Sequence, residues 1–338
     1  MRGTQITIKD IARELGVSPS TVSRALKDHP DISLATRLKV KQLAEEYGYK
    51  PNAIALSLLQ SKTNIIGVII PEIVHFFFSS VISGIEEVAH KNGYQVMICQ
   101  SNESVEREKE NVQTMIKGRV DGVLISISKQ TQSSEHLQML DKAGIPMVFF
   151  DRSPNDINSH QVIIDDDEGA FSVVNHLIQQ GYKRIMHLAG PDNLVISQRR
   201  LAGYKRALKQ NGLNYDPELI QVCDQYDDAI RMVPKLLQMP NRPDAIFAVN
   251  DLTAVGAIKV IREMGLGIPQ DIGVAGFTNE KISSILTPSL TSVEQHGFSM
   301  GEEAAKLLMK RFETNIEDYV PETKIIPSTL IIRESTKK

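Results

Sequence analysis

The residues best suited to chemistry fall in two groups. The first is the run Ser18-Pro19-Ser20-Thr21-Val22-Ser23-Arg24. A guanidinium makes two parallel hydrogen bonds to guanine O6 and N7, and small residues let a helix approach base edges closely. The second group is dispersed: Phe77 and Phe78, Ser126, Asp151, Arg200, Asn250, Thr278 and Gln295. Each stands just after an apolar run or near its end. Together they offer a carboxylate, a guanidinium, amides, hydroxyls and aromatic faces. That chemistry suits a polar ring bearing hydroxyls and needs no catalytic step.

Three short helices must position the first group. Thr7 caps a helix from Ile8 to Leu15, with Asp10 favouring its positive end. Ile8, Ile11, Ala12 and Leu15 make one apolar face. Gly16 ends it, and Ser18 caps a second helix with Pro19 at its first position. Val22, Ala25 and Leu26 form the buried stripe of that helix, while hydroxyls and cations cover the rest. A third helix runs from Ser33 to about Tyr47, with Leu38, Leu43, Ala44 and Tyr47 expected inward. Two helices joined by Gly16-Val17-Ser18 have the turn chemistry of a helix-turn-helix.

The charge distribution agrees. The 338 residues carry a net charge of −3, yet residues 1–62 alone are +4 and the remainder −7. A basic head on an acidic body points to a polyanion as partner of the head. The composition, 41% hydrophobic and 23% charged, is that of a globular chain. No apolar run is long enough to span a membrane, and the first residues lack a secretory signal, so a cytoplasmic protein is expected. Cys99 and Cys223, both in apolar stretches, read as buried thiols.

Between head and body, Pro51 and Asn52 open a short run of helix formers, Ala53 to Leu59, too short to be stable alone. From Asn64, apolar strands alternate with helical patterns, and VDGVLIS in one half echoes PDAIFAV in the other. Continuous apolar strands between helices mean parallel sheets covered on both faces, here two α/β lobes. Ligands on such sheets bind beyond the carboxyl ends of the strands, where the second group lies.

Catalytic signals are weak. Gly297-Phe298-Ser299-Met300-Gly301 fits G-x-S-x-G, but every histidine precedes Ser299. Asp165-Asp166-Asp167 lacks the glutamate of a calcium loop and reads as a helix start. No dinucleotide or phosphate-loop motif occurs. No enzyme, cofactor or metal is expected.

TIKDIARELGVSPSTVSRALKD, followed by YGYKPNAIALSLLQSKTNIIGVIIP, resembles the N-terminus of the lac repressor family, and the resemblance extends along nearly the whole chain. It implies an all-α helix-turn-helix headpiece (1–50), a hinge helix (51–62) and an α/β two-lobed type I periplasmic-binding-protein-like effector domain (63–338). The N-lobe would hold about 63–161 and 295–322, the C-lobe about 163–291 and 325–338, with crossings near Val162, Val293 and Ile325. Thr7, Ser18, Pro19, Ser20, Thr21, Ser23 and Arg24 would meet operator DNA, a pseudo-palindrome, as a homodimer. Asn52, Ala53 and Leu58 would meet the minor groove, Leu58 as an apolar wedge. Asp151, Arg200 and Asn250 match effector contacts, and Phe78 a stacking ring. The chain ends without leucine heptads, so no tetramer is expected. The implied function is a repressor of carbohydrate genes, released by a sugar effector. The family's sugar binders often carry two aspartates where Thr278-Asn279 stands, which leaves the ligand class open. The alternatives are a nucleobase-responsive regulator and a transporter's solute-binding protein.

Overall fold

A computed structural model describes residues 6–49 and 62–338, and the chain divides into two units at Thr63. The first unit holds α1 (Ile8–Glu14), α2 (Pro19–Leu26) and α3 (Leu34–Glu46). Its core is Ile11, Ala12, Val22, Ala25, Val40 and Ala44. The third helix corrects the sequence reading. Leu38 is 60% exposed and Tyr47 38% exposed. Val40, Leu43 and Ala44 set the buried stripe, and Leu38, two residues before Val40, points roughly to the opposite side at 3.6 residues per turn. Tyr47 is the C-cap, and Tyr49 packs on the core instead, its N–H bonding the Ala44 carbonyl at 2.8 Å beyond left-handed Gly48.

The second unit begins with β1 (Ile65–Ile70), α4 (Phe76–Lys91), β2 (Gln95–Gln100), α5 (Val105–Gly118), β3 (Gly122–Ile125), α6 (Gln138–Lys142), β4 (Met147–Phe150) and β5 (His160–Ile164). It continues with α7 (Asp166–Gln179), β6 (Ile185–Ala189), α8 (Val195–Gln210), β7 (Ile220–Val222), α9 (Tyr226–Leu237), β8 (Ala245–Ala248), α10 (Asp251–Glu263) and β9 (Gly273–Thr278). Then come α11 (Lys281–Ile285), β10 (Thr291–Glu294), α12 (Gly297–Glu313), β11 (Thr323–Ile326) and β12 (Thr329–Ile331).

Two six-stranded sheets result. One runs β2-β1-β3-β4-β5-β11, all parallel; the other runs β7-β6-β8-β9-β10, parallel, with β12 antiparallel at its edge. The chain crosses between sheets after β5, after β10 (α12 packs against α4 of the first lobe) and after β11. The first and third crossings fall slightly later than Val162 and Ile325, because those residues are still paired within the first sheet. Central strands such as Val68, Leu124, Val148, Ala245 and Phe247 are fully buried, as parallel strands covered on both faces must be. Where α12 crosses α4, a Cβ on Gly84 would lie 2.0 Å from the Phe298 carbonyl, so only glycine permits that approach. Cys223 is buried, but Cys99, on edge strand β2, is only partly covered. No helix among the described residues is long and apolar enough to cross a membrane.

Candidate functional site: the headpiece surface and the interlobe cleft

In the headpiece, Ser18 caps α2: its Oγ accepts the Thr21 N–H at 3.1 Å and lies 2.7 Å from Ser20 Oγ. This fixes the start of a helix whose Val22 and Ala25 are buried and whose Pro19, Ser20, Arg24 and Lys27 are exposed, with Thr21 and Ser23 half-buried. The outward face carries hydroxyls and cations, the composition that reads base edges and phosphates. Thr7 uses its N–H (2.9 Å) and hydroxyl (2.6 Å) on the Asp10 carboxylate, so it fixes the start of α1. Asn52, Ala53 and Leu58 lie outside the described residues.

In the second unit, carboxyl ends of strands from both sheets converge on a cleft of about 330 Å³. Phe77 and Phe78, at the start of α4, are buried in the core and line the cleft, while Phe76 is exposed. Asp151 and Arg152 follow β4, Asn250 follows β8, Thr278 ends β9 and Gln295 follows β10; all of them line the cleft. Ser126 does not: fully buried, it sits behind Asp151 and donates to its carboxylate at 3.4 Å. Its N–H bonds the Ile69 carbonyl of β1 at 3.0 Å, which holds Ser126 against the sheet rather than in the cleft.

Arg200, on α8, is 4% exposed. Its Nε donates to Asp166 Oδ1 at 2.8 Å and its Nη1 to the Val249 carbonyl at 2.7 Å, and its guanidinium lies 3.8 Å above the Phe277 ring. Asn250 is similarly committed, accepting the Thr253 N–H and donating to the Asp224 carbonyl, both at 2.8 Å. It is the N-cap of α10, and the residue after it, Asp251, is a buried hub. Asp251 accepts from the Glu280 N–H (2.6 Å), Ser283 (2.7 Å) and Ser292 (2.5 Å), and burial lifts its carboxyl to about 7.

Asp151 has only weak partners, Ser126 at 3.4 Å and Arg152 Nε at 3.7 Å. Burial, outweighing the attraction of Arg152 and Arg200, holds its carboxyl above the usual range. Its φ of +59° and that of +117° at Thr278 are left-handed, and such strain concentrates at ligand clamps. Asn279 is no cleft residue, because its side chain is spent on Glu294 and Arg333. Carboxylates that the sequence does not mark also line the cleft: Glu280, Glu103, Asp224 and Asp227, alongside Glu72. Tyr226, at the start of α9, also lines the cleft from the other lobe. These residues follow strands too, but a carboxylate or tyrosine at a helix N-terminus is so common that sequence alone did not mark them.

Ion pairs span the cleft. Lys129 Nζ meets Asp224 at 3.2 Å, and Asn193 donates to the Lys129 carbonyl at 2.8 Å. His75 lies 2.8 Å from Glu72 of its own lobe and 3.5 Å from Glu280 of the other. Counting all lining groups, six carboxylates face three permanent cations, Lys129, Arg152 and Arg200. No cluster of metal-ligating side chains occurs among the described residues.

A helix-turn-helix unit with a cationic, hydroxyl-rich face, joined to a two-lobed domain with a polar cleft, defines a ligand-responsive DNA-binding protein. Comparisons with known proteins agree. Residues 7–52 match the family described as bacterial regulatory proteins, lacI family, and residues 174–336 match the periplasmic binding protein-like domain. The chain is 35% identical to catabolite control protein A of Priestia megaterium, covering 98% of this chain and 99% of that protein. It is 33% identical to the HTH-type transcriptional repressor CytR of Escherichia coli (strain K12), covering 99% and 97%. The lac repressor dimer bound to operator and the anti-inducer ONPF superposes with a TM-score of 0.84 at 26% identity, covering 98% and 99%. A transcriptional regulator CelR–cellobiose complex gives 0.74 at 30% identity, with the same coverage. The chain belongs to the lac repressor family of transcriptional regulators, with a DNA-binding headpiece and an effector-binding domain. These relatives are regulators rather than enzymes.

Proposed function

We propose that this protein represses carbohydrate-utilisation genes and leaves its operator when a neutral sugar binds between the lobes. The observation that carries this is the under-bonded Asp151 in a cleft with surplus carboxylates and a ring on each lobe. A buried carboxylate with weak partners gains most from ligand hydroxyls, which donate strong charge-assisted bonds. The carboxylate surplus disfavours a phosphate or uronate. Phe77, Phe78 and Tyr226 supply apolar faces for a pyranose ring. Effector contacts fall to Asp151, Arg200, Asn250, Thr278, Gln295 and the two phenylalanines. The solved relative carrying cellobiose supports the class.

The regulator works as a cytoplasmic homodimer on a pseudo-palindromic site. Ile98 on edge strand β2 is 42% exposed and Val222 on edge strand β7 is 60% exposed. Unpaired edges with apolar side chains need cover, and a second copy provides it. Sedimentation at micromolar protein is expected to show a dimer.

The test is a thermal-shift screen of neutral sugars, sugar phosphates and nucleosides, followed by operator titration with whichever compound raises Tm. A neutral sugar should stabilise the wild type, lose most of that effect in Asp151→Asn, and release the operator. A shift confined to nucleosides overturns the sugar reading. Tighter operator binding with ligand overturns induction.

A further inference from the structure

Helix α2 has only 8 residues, so whatever fixes its two ends fixes how it presents its side chains. Ser18 holds the start. The other end closes on the Arg24 carbonyl, which accepts the Lys27 N–H at 3.2 Å and the His29 N–H at 3.0 Å. The Asp28 N–H bonds the Ala25 carbonyl at 3.2 Å. These bonds make a Schellman turn, whose left-handed residue is usually glycine. Here it is Asp28, at φ +57°.

An aspartate at that point has two costs. Its side chain makes the left-handed backbone less favourable than glycine would. Its exposed carboxylate, one helical turn beyond Arg24, repels a polyanion. Two side chains of α3 grip it. Lys41 Nζ donates to Asp28 Oδ2 at 2.6 Å. Arg37 Nη1 donates to the Asp28 carbonyl at 3.3 Å and lies 4.0 Å from Oδ1. Asp28 is thus held by both its side chain and its backbone. Lys41 and Asp28 are exposed, so their pair adds little to stability. Its effect is geometric, because it ties the last turn of α2, where Arg24 stands, to α3.

We infer that Asp28 is a positioning residue for DNA reading: gripped by Lys41 and Arg37, it sets the angle at which α2 presents Arg24 to a base pair. This rests on the reading of Arg24 as a base contact and deepens it. A purely electrostatic role for the pair has a different signature. Removing the carboxylate would tighten binding to every DNA, and removing the lysine would weaken it to every DNA. Positioning requires that both changes lower the preference for the cognate site, although they alter the charge in opposite directions.

The test uses the full-length protein, a pseudo-palindromic duplex that it selects from a random-sequence library, and a scrambled duplex of the same composition. Asp28→Gly removes the carboxylate and suits the left-handed backbone, so the headpiece should stay folded, as circular dichroism checks. Lys41→Gln breaks the same link from the other side. Fluorescence anisotropy at one fixed salt concentration gives both affinities. On scrambled DNA, Asp28→Gly should bind about twofold tighter and Lys41→Gln about twofold weaker. Both should lower the ratio of selected to scrambled affinity by about five- to tenfold, part of what one bidentate arginine contributes. Added to Arg24→Ala, neither should lower the ratio further, because the contact they position is gone. A ratio kept by either variant overturns the inference and leaves Arg24 its role. So does a ratio that falls as far in the Arg24→Ala background. If Arg24→Ala alone leaves the ratio unchanged, the base contact and the inference fall together.

Discussion

Arg200 and Asp166 form an ion pair sealed from solvent: Nε meets Oδ1 at 2.8 Å, with the two side chains 5% and 1% exposed. The other oxygen, Asp166 Oδ2, is buried without a hydrogen-bond partner among the described residues. The most conspicuous cleft cation is therefore also a structural element. It pins α8 to the start of α7 and to the end of β8 through the Val249 carbonyl.

Arg200→Ala should consequently cost stability whether or not Arg200 meets the effector. Deleting one partner of a buried pair leaves the other to stay buried without its partner or to take up a proton, and such losses run to about 3–5 kcal/mol. Urea unfolding should show that loss without any ligand present. A variant as stable as the wild type would mean that the pair contributes little and Arg200 serves the ligand alone.

Stability should depend on pH through two carboxylates. Burial lifts Asp166 to about 6 and Asp251 to about 7, both from 3.8. The folded state thus holds more protons than the unfolded chain between roughly pH 4 and 7, and stability falls as pH rises through that window. Above it the loss is complete and the curve flattens. Asp251→Asn should remove part of the slope in urea denaturation between pH 4.5 and 7.5. An unchanged slope in that variant and in Asp166→Asn would show that neither carboxyl is shifted.

In the headpiece, Arg24→Ala should cost about 1–3 kcal/mol on the true operator and less on random DNA. Arg24 is exposed on a helix whose start is locked by Ser18, so folding should be untouched. Equal losses on both DNAs, measured by mobility shift, would make Arg24 a phosphate contact.

What was legible in the sequence follows from how each feature is encoded. The two sheets were legible because strand runs such as IIGVII and AIFA are continuous and apolar, and α2 because Ser18 and Pro19 mark its start. Seven of the eight expected effector residues line the cleft: Asp151, Asn250, Thr278 and Gln295 at or just after strand ends, where α/β folds present side chains, and Phe77, Phe78 and Arg200 from the helices that follow strands. Three things escaped. Ser126 was misplaced because strand position does not tell which way a residue faces. Leu38 and Tyr47 were misread because the helical phase is set by the whole three-helix core rather than by hydrophobicity alone. Glu280 and Asp224 escaped because their importance comes from the opposite lobe, which brings His75 and Lys129 to them from far along the chain.

That last pairing yields a pH prediction for ligand binding. His75 stands between Glu72 on its own lobe and Glu280 on the other. Glu280 foremost, then Glu72, raises the pKa of His75 against the opposing effect of burial. Glu280 is on the opposite lobe, so an arrangement with the lobes further apart would withdraw that support. The closed arrangement therefore binds the His75 proton more tightly than the open one, and by linkage lowering the pH favours closure. A ligand that binds closed lobes should gain affinity as pH falls from 8 to 6. Glu280→Gln keeps the side chain's size but removes its charge, so it should flatten that dependence while leaving Glu72 in place. Calorimetry at pH 6 and 8 on both proteins decides the matter. Equal pH dependence in the two would show that His75 does not sense closure through Glu280.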